Sequence, residues 1–301
     1  MSAPFAALLS LAARGWPFAN GAGRLVERLG GAIALGDGVR DCRTRDGTVL
    51  RVYGDDLIGR RLILSGQFEA SLFRTLLDFA EPHDRLVDIG ANLGYVSAMA
   101  LARVPGSHVL AIEPQTEIGA LLRHNLSQFP ADRWEILAAG LSDRDGEAML
   151  QVNRANRGGA WLVEQWGGAQ GEAGEAIPLL HAGRVLGALE RLDLLKIDIE
   201  GHEEMVLRAA AEALARLQPK AILFEDYLGK AAPDAPIGKL LNECGYAVFA
   251  VRKHLLGNSL VPLGAGDRPA GRDYLAVSRS RRLPETARRK YRLPPNLVPA
   301  N

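Results

Sequence analysis

Only two of the 301 residues are cysteine, Cys42 and Cys244. They form no metal-binding spacing and no disulfide framework, which fits a reducing compartment, the cytoplasm. An excess of one charge is also missing. Thirty-six basic residues stand against 35 acidic ones, a formal net charge of +1, so no global field draws the chain to nucleic acid or anionic membrane. The apolar N-terminal stretch, Phe5 to Ala13, is broken by Arg14, Gly15 and Pro17 and falls short of the ~20 residues that span a bilayer. No basic run precedes it, which argues against a secretory signal. A packing helix is expected there, with contact to a membrane surface as the alternative. What is present is a globular composition, 48% apolar and 24% charged, long enough for one large α/β domain with extensions.

Residues 38–64 read as a strand-rich entry, in which Asp46-Gly47 joins two short apolar runs in a hairpin. Phe68, Leu72, Leu76 and Phe79 then mark a helix. From Arg85 the pattern alternates. Strands are expected at Leu86 to Ile89, Val109 to Ile112, Ile136 to Ala139, Leu194 to Ile199 and Ala221 to Phe224, with helices between them. Short apolar strands separated by helices imply a mostly parallel sheet covered on both faces. Its strand C-termini share one edge, where ligands bind at the switch point. Gly90, Glu113, Ser142, Glu200 and Glu225 all follow strand ends and so gather on that edge.

The central motif is Asp88-Ile89-Gly90-Ala91-Asn92-Leu93-Gly94. A dinucleotide loop wants Gly-x-Gly-x-x-Gly, but here Asn92 takes the second glycine's place and Tyr95 the third's. That leaves little room for a pyrophosphate, whereas a nucleoside without phosphates, S-adenosylmethionine, is compatible. Asp88 repels phosphate and suits an ammonium and a sulfonium. Glu113, about twenty residues on, stands where an acid grips ribose hydroxyls. Ser142-Asp143 follows the third strand, placed for the adenine or for capping a turn.

These runs, with Glu113-Pro114, Asn125, Leu195-Lys196-Ile197-Asp198-Ile199-Glu200-Gly201, Ile222-Leu223-Phe224-Glu225 and Phe68-Glu69, resemble the FkbM family of methyltransferases over residues 66–278. The resemblance implies a class I, Rossmann-like fold: a mostly parallel seven-stranded sheet, last strand antiparallel, helices on both faces. It implies S-adenosylmethionine as donor and a hydroxyl of a small molecule, such as a sugar or polyketide, as acceptor. Residues 1–65 are then an N-terminal extension and 279–301 a basic tail. His202 departs from the small residue of many relatives.

The expected cofactor contacts are Asp88, Gly90, Asn92, Gly94, Tyr95, Glu113, Pro114, Ser142, Asp143 and Asp198. Asp198, Glu200 and His202 are the catalytic candidates, a base near the methyl position helping a hydroxyl acceptor. Lys196 lies deeper, as an ion-pair partner. Asp198, Glu200 and Glu225 have the oxygens magnesium prefers, but no spacing compels it, so no metal is expected. Residues 154–176 are glycine-rich and lack periodicity, which suits either a lid carrying Trp161 and Trp166 or a disordered insertion. Arg279, Arg281, Arg282, Arg288, Arg289, Lys290 and Arg292 read as a solvated tail or as a surface for an anionic partner. The competing functions are a nicotinamide-dependent oxidoreductase and a non-catalytic nucleoside-binding protein. A small-molecule acceptor is the expected partner; nucleic acid and a membrane span are not.

Overall fold

The computed structural model describes residues 3–30, 33–36, 38–153, 156–163, 174–267, 271–294 and 297. Helices α1 (Ala3–Arg14) and α2 (Ala22–Gly30) precede hairpin β1 (Val39–Arg43) and β2 (Val49–Tyr53), then α3 (Leu57–Ser65) and α4 (Ala70–Leu77). The alternating part opens with β3 (Arg85–Ile89), α5 (Tyr95–Arg103), β4 (His108–Ile112), α6 (Thr116–Leu126) and β5 (Trp134–Leu137). Four strands follow with no helix between them among the described residues: β6 (Gly140–Ser142), β7 (Gly146–Asn153), β8 (Asn156–Val163) and β9 (Gly174–His181). Alternation resumes with α7 (Ala182–Gly187), β10 (Leu194–Ile197), α8 (Glu203–Ala209), α9 (Ala211–Leu217), β11 (Ala221–Glu225), α10 (Pro236–Glu243), β12 (Tyr246–His254), β13 (Gly257–Pro262), β14 (Asp273–Ser278) and α11 (Glu285–Lys290).

The main sheet runs β13-β12-β14-β11-β10-β3-β4-β5. Strands β11, β10, β3, β4 and β5 are mutually parallel. The reversed strand β14 lies antiparallel to both β11 and β12. This is the seven-stranded class I order, with the late strand β13 adding an eighth member by pairing with β12. The order changes direction between β3 and β10, which sets the switch point at their C-terminal ends. Alternate residues of each buried strand enter opposite cores. Leu86, Val109 and Leu194 face one core with α4, α5 and α6, while Val87, Leu110 and Leu195 face the other with α7, α8, α9 and α10. The sheet is therefore dry on both sides, as a parallel sheet requires.

Three expectations change. Residues 57–65, read as part of a strand-rich entry, form α3 because Asp56 caps it by accepting from Ile58 and Gly59 N–H (2.9 and 3.2 Å), and Gly66 ends it at φ 70°. The segment read as an aperiodic lid or insertion contains strand β8, which pairs with β7, and the start of β9, which pairs with β6 and β7 in a separate four-stranded sheet. Glycine dilutes side-chain alternation, but the backbone ladder forms regardless. Trp161 lies on β8 and Trp166 falls outside the described residues. The described part of the basic tail is packed: Leu283, Ala287, Tyr291 and Leu293 are buried, and Tyr291 stacks on Phe79 with ring centroids 5.9 Å apart.

One side chain joins the N-terminal hairpin to the switch point. Asn125, on α6 and buried, accepts from Arg51 N–H (2.6 Å) and donates to Arg51 C=O (3.0 Å) and Leu93 C=O (2.7 Å). Among the described residues no helix is long and apolar enough to cross a membrane.

Candidate functional site

The turn after β3 is held in a shape that few residues tolerate. Gly90 has φ 74°, and a Cβ there would lie 2.0 Å from the Asp198 carbonyl oxygen. The exits of β3 and β10 thus close backbone to backbone, and only glycine fits. Asn92 follows at φ 51°, a left-handed conformation asparagine accepts. Gly94, at φ 87°, caps α5, and a Cβ there would meet Leu122 at 2.7 Å. Its role is to seat α5 against α6.

Glu113 ends the β4 exit and is buried. Its Oε2 accepts from Asn92 N–H (2.8 Å) and its Oε1 from Gln115 N–H (3.0 Å). Burial pushes this carboxyl up to about 7, against the two N–H donors and nearby Lys196. A phosphate-binding loop gives its amides to the anion. Here the Asn92 amide is engaged by a carboxylate of the chain itself, which adds to the missing glycines as an obstacle to pyrophosphate.

Beneath the turn, Lys196 is buried on β10 and donates to Gly90 C=O (2.6 Å), with Asp88 and Asp198 carboxylates at 3.3 and 3.5 Å. Burial alone would lower the Lys196 pKa, but the two carboxylates outweigh it and the ammonium is held raised. Asp88 is fully buried and also accepts from Ser97 Oγ–H at 2.7 Å, fastening β3 to α5.

A cavity of about 490 Å³ opens over this edge, within the range of small-molecule sites. One flank comes from the β3, β4 and β6 side and includes Asn92, Glu113, Pro114, Gly140 and Leu141. The other comes from the β11 and β14 side and from α3 and α4, and includes Arg61, Glu69, Glu225, Tyr227, Lys253 and Asp273. Asp198, Glu200 and His202 stand between them.

Of the expected contacts, Gly90, Asn92, Tyr95, Glu113, Pro114 and Asp198 line this cavity, as do the candidates Glu200 and His202. Asp88, Gly94, Ser142 and Asp143 are not in its wall. Ser142 is buried beneath it, its hydroxyl 3.0 Å from His202 Nε2 and 3.1 Å from Asp143 Oδ1. β10 ends at Ile197 and Glu200 turns left-handed at φ 51°, so strand alternation stops before the carboxylates. Glu200 Oε2 accepts from Tyr227 O–H at 3.1 Å, and burial with the charge of Asp198 raises its pKa. Glu203 accepts from Ile199 N–H (3.1 Å) and is raised by burial to about 7.

The far flank was largely unanticipated. Lys253 on β12 bridges Asp273 (2.8 Å) and Glu69 (3.2 Å). Glu69, Glu225 and Asp273 place carboxylate oxygens within 4.8 Å of one another. Arg272 lies over the Tyr227 ring at 4.6 Å. The available signal was strand direction. Because β14 is reversed, its first residue, Asp273, and Arg272 just before it reach the edge that the parallel strands reach with their last.

The profile of the FkbM methyltransferase domain matches residues 88–248. The chain is 27% identical to the hexuronic acid methyltransferase AglP of Haloferax volcanii, over 58% of this chain and 68% of that protein. It is 30% identical to the AMB antimetabolite synthetase AmbE of Pseudomonas aeruginosa, over 44% of this chain but only 8% of that protein. Among solved structures it resembles precorrin-6y C5,15-methyltransferase from Geobacter metallireducens at 16% identity, covering 70% of this chain and 89% of that one, with a TM-score of 0.41.

Proposed function

The chain belongs to the FkbM methyltransferase family, a family of S-adenosylmethionine-dependent enzymes, and from that premise we propose that its cavity holds the cofactor against Gly90, Asn92 and Glu113 and serves methyl transfer to a hydroxyl of a small polar acceptor such as a sugar. The observation that carries this reading is the buried Glu113 carboxylate beside the Gly90 turn in the wall of the cavity. The missing side chain at Gly90 lets the β3 turn close on the Asp198 carbonyl, which sets Asp198 and the turn side by side in the cavity wall, and Glu113 keeps lone pairs on both oxygens for ribose hydroxyls. The residues therefore fit the cofactor. When bound, S-adenosylmethionine supplies a methyl group on a sulfonium, a good leaving group.

The chain's part is to position and to accept a proton. Lys196 fixes the turn through Gly90 C=O, and Asp198 lines the middle of the cavity within reach of both flanks. Holding an acceptor in line accounts for most of the acceleration of such a displacement. Asp198, Glu200 and His202 are among the polar groups placed to receive a hydroxyl hydrogen there, with the ring of His202 anchored by Ser142. The acids and bases of the far flank suit a hydroxyl-rich acceptor, and a relative that methylates a hexuronic acid supports a sugar. The two buried free thiols fit a cytoplasmic setting.

The test is calorimetric titration with S-adenosylmethionine and S-adenosylhomocysteine, followed by transfer of a labelled methyl group to a panel of neutral, acidic and amino glycosides. Binding of both nucleosides and label in an ether-linked product are expected. Retention of neither nucleoside would remove the reading.

A further inference from the structure

Glu225 is the last residue of β11 and faces Asp273 of β14 directly across the antiparallel register. Like charges in that position repel. Glu69, at the start of α4, brings a third carboxylate to the same point. A single ammonium serves the cluster, and Lys253 gives it to Asp273 and Glu69. Among the described residues Glu225 has no ion pair, and its neighbours are the carboxylate of Asp198 and the hydroxyl of Tyr227. Arg272 lies over the Tyr227 ring, and its charge reaches Glu225 and Asp273 without an ion pair to either among the described residues. The cluster is also short of hydrogen-bond partners. Asp273 is buried in the cavity wall and its Oδ1 has no hydrogen-bond partner among the described residues.

We propose that Glu225 is a charge-gated proton acceptor: it carries a proton in the free protein, releases it when the cationic cofactor enters the cavity, and regains one from the acceptor hydroxyl. The inference rests on the cofactor reading above. The step balances. As the oxygen–methyl bond forms and the methyl–sulfur bond breaks, the bonding pair stays on sulfur, and the hydroxyl proton passes to Glu225. The nucleoside product has lost its positive charge, so Glu225 keeps that proton as the product leaves. Burial, with the charges of Asp198, Asp273 and Glu69, pushes this carboxyl up to about 8, so it is protonated at neutral pH until a cation arrives. The groups facing it are Asp198 just after β10, Asp273 and Arg272 at the start of β14, Lys253 from β12, Glu69 at α4, and Glu200 with Tyr227 beside it.

The experiment compares binding of S-adenosylmethionine and S-adenosylhomocysteine to the full chain and to Glu225→Gln by calorimetry near pH 7, in buffers of different ionisation enthalpy. Both nucleosides share every atom except the methyl group and the charge it confers. Wild-type protein is expected to release about half a proton or more beyond what Glu225→Gln releases, for the sulfonium compound only. Its preference for that compound over the neutral one should rise about tenfold more than the variant's between pH 6 and pH 9. Equal proton release by wild type with the two nucleosides, or an identical excess in the variant, would overturn the proposal while leaving the cofactor site intact. Failure of wild-type protein to bind either nucleoside would instead remove the site on which it rests.

Discussion

At Gly90 a methyl group has nowhere to go, since the carbonyl of Asp198 already stands 2.0 Å from where it would sit. Gly90→Ala is expected to cost about 2–4 kcal/mol, read as a lowered urea midpoint, because steric conflict adds to an unfavourable φ. Glu113→Ala frees the amides of Asn92 and Gln115 and should weaken binding of either nucleoside by roughly 10–100-fold in calorimetry. Asp198→Ala should abolish methyl transfer while leaving the circular dichroism spectrum unchanged; full activity would take Asp198 out of the mechanism. Glu203 offers a pH test. Its carboxyl sits near 7 in the fold against an ordinary 4.5, so its contribution to stability is whole below 4.5 and is lost as pH rises through about 7. Glu203→Gln keeps an acceptor for Ile199 N–H and removes the charge. The variant should therefore gain on the parent between about pH 5 and pH 8, by up to ~3 kcal/mol in denaturant titrations. Gly90, Glu113 and Asp198 could be read from the chain because each ends a strand in a local motif. Glu69 was legible within the Phe68-Glu69 run, but its pairing with Lys253 was not, since it spans 184 positions and leaves no periodic trace.

Among the elements, α11 is the one whose composition misleads. Seven basic residues surround it and suggest a solvated end, yet Leu283, Ala287 and Tyr291 recur every four residues and all three are buried. The apolar stripe was legible; the charge density around it drew the eye to solvent. Tyr291 also donates to Asp78 Oδ2 at 2.5 Å. Tyr291→Ala is expected to lower stability by about 3–5 kcal/mol in urea denaturation. Arg289→Ala, which removes only an exposed pair with Glu285, should change it by no more than about 0.5 kcal/mol. The central strands and helices were legible for the opposite reason: their periodicity and their burial agree. In α3 the capping residues Asp56 and Gly66 signal a helix, whereas the neighbouring hairpin favours strand.

For the molecule as a whole, strand order decides which residues can meet. Parallel strands deliver their ends to one edge, and the reversed β14 delivers its beginning, so one cavity is lined by segments as distant as Glu69 and Asp273. The parallel part of that order follows from alternating strands and helices, while the added β13 depends on a late hairpin with weak patterning. The N-terminal hairpin takes part through Asn125. Asn125→Ala should lower stability by about 2–3 kcal/mol in urea denaturation, since three buried hydrogen bonds to main chain are lost. That clasp has a practical corollary for anyone splicing this scaffold. Asn125 reads the peptide unit of position 51 and ignores its side chain. Hairpins borrowed from other proteins could be grafted ahead of the catalytic body with any amino acid at 51 except proline, which lacks the N–H that the clasp grips.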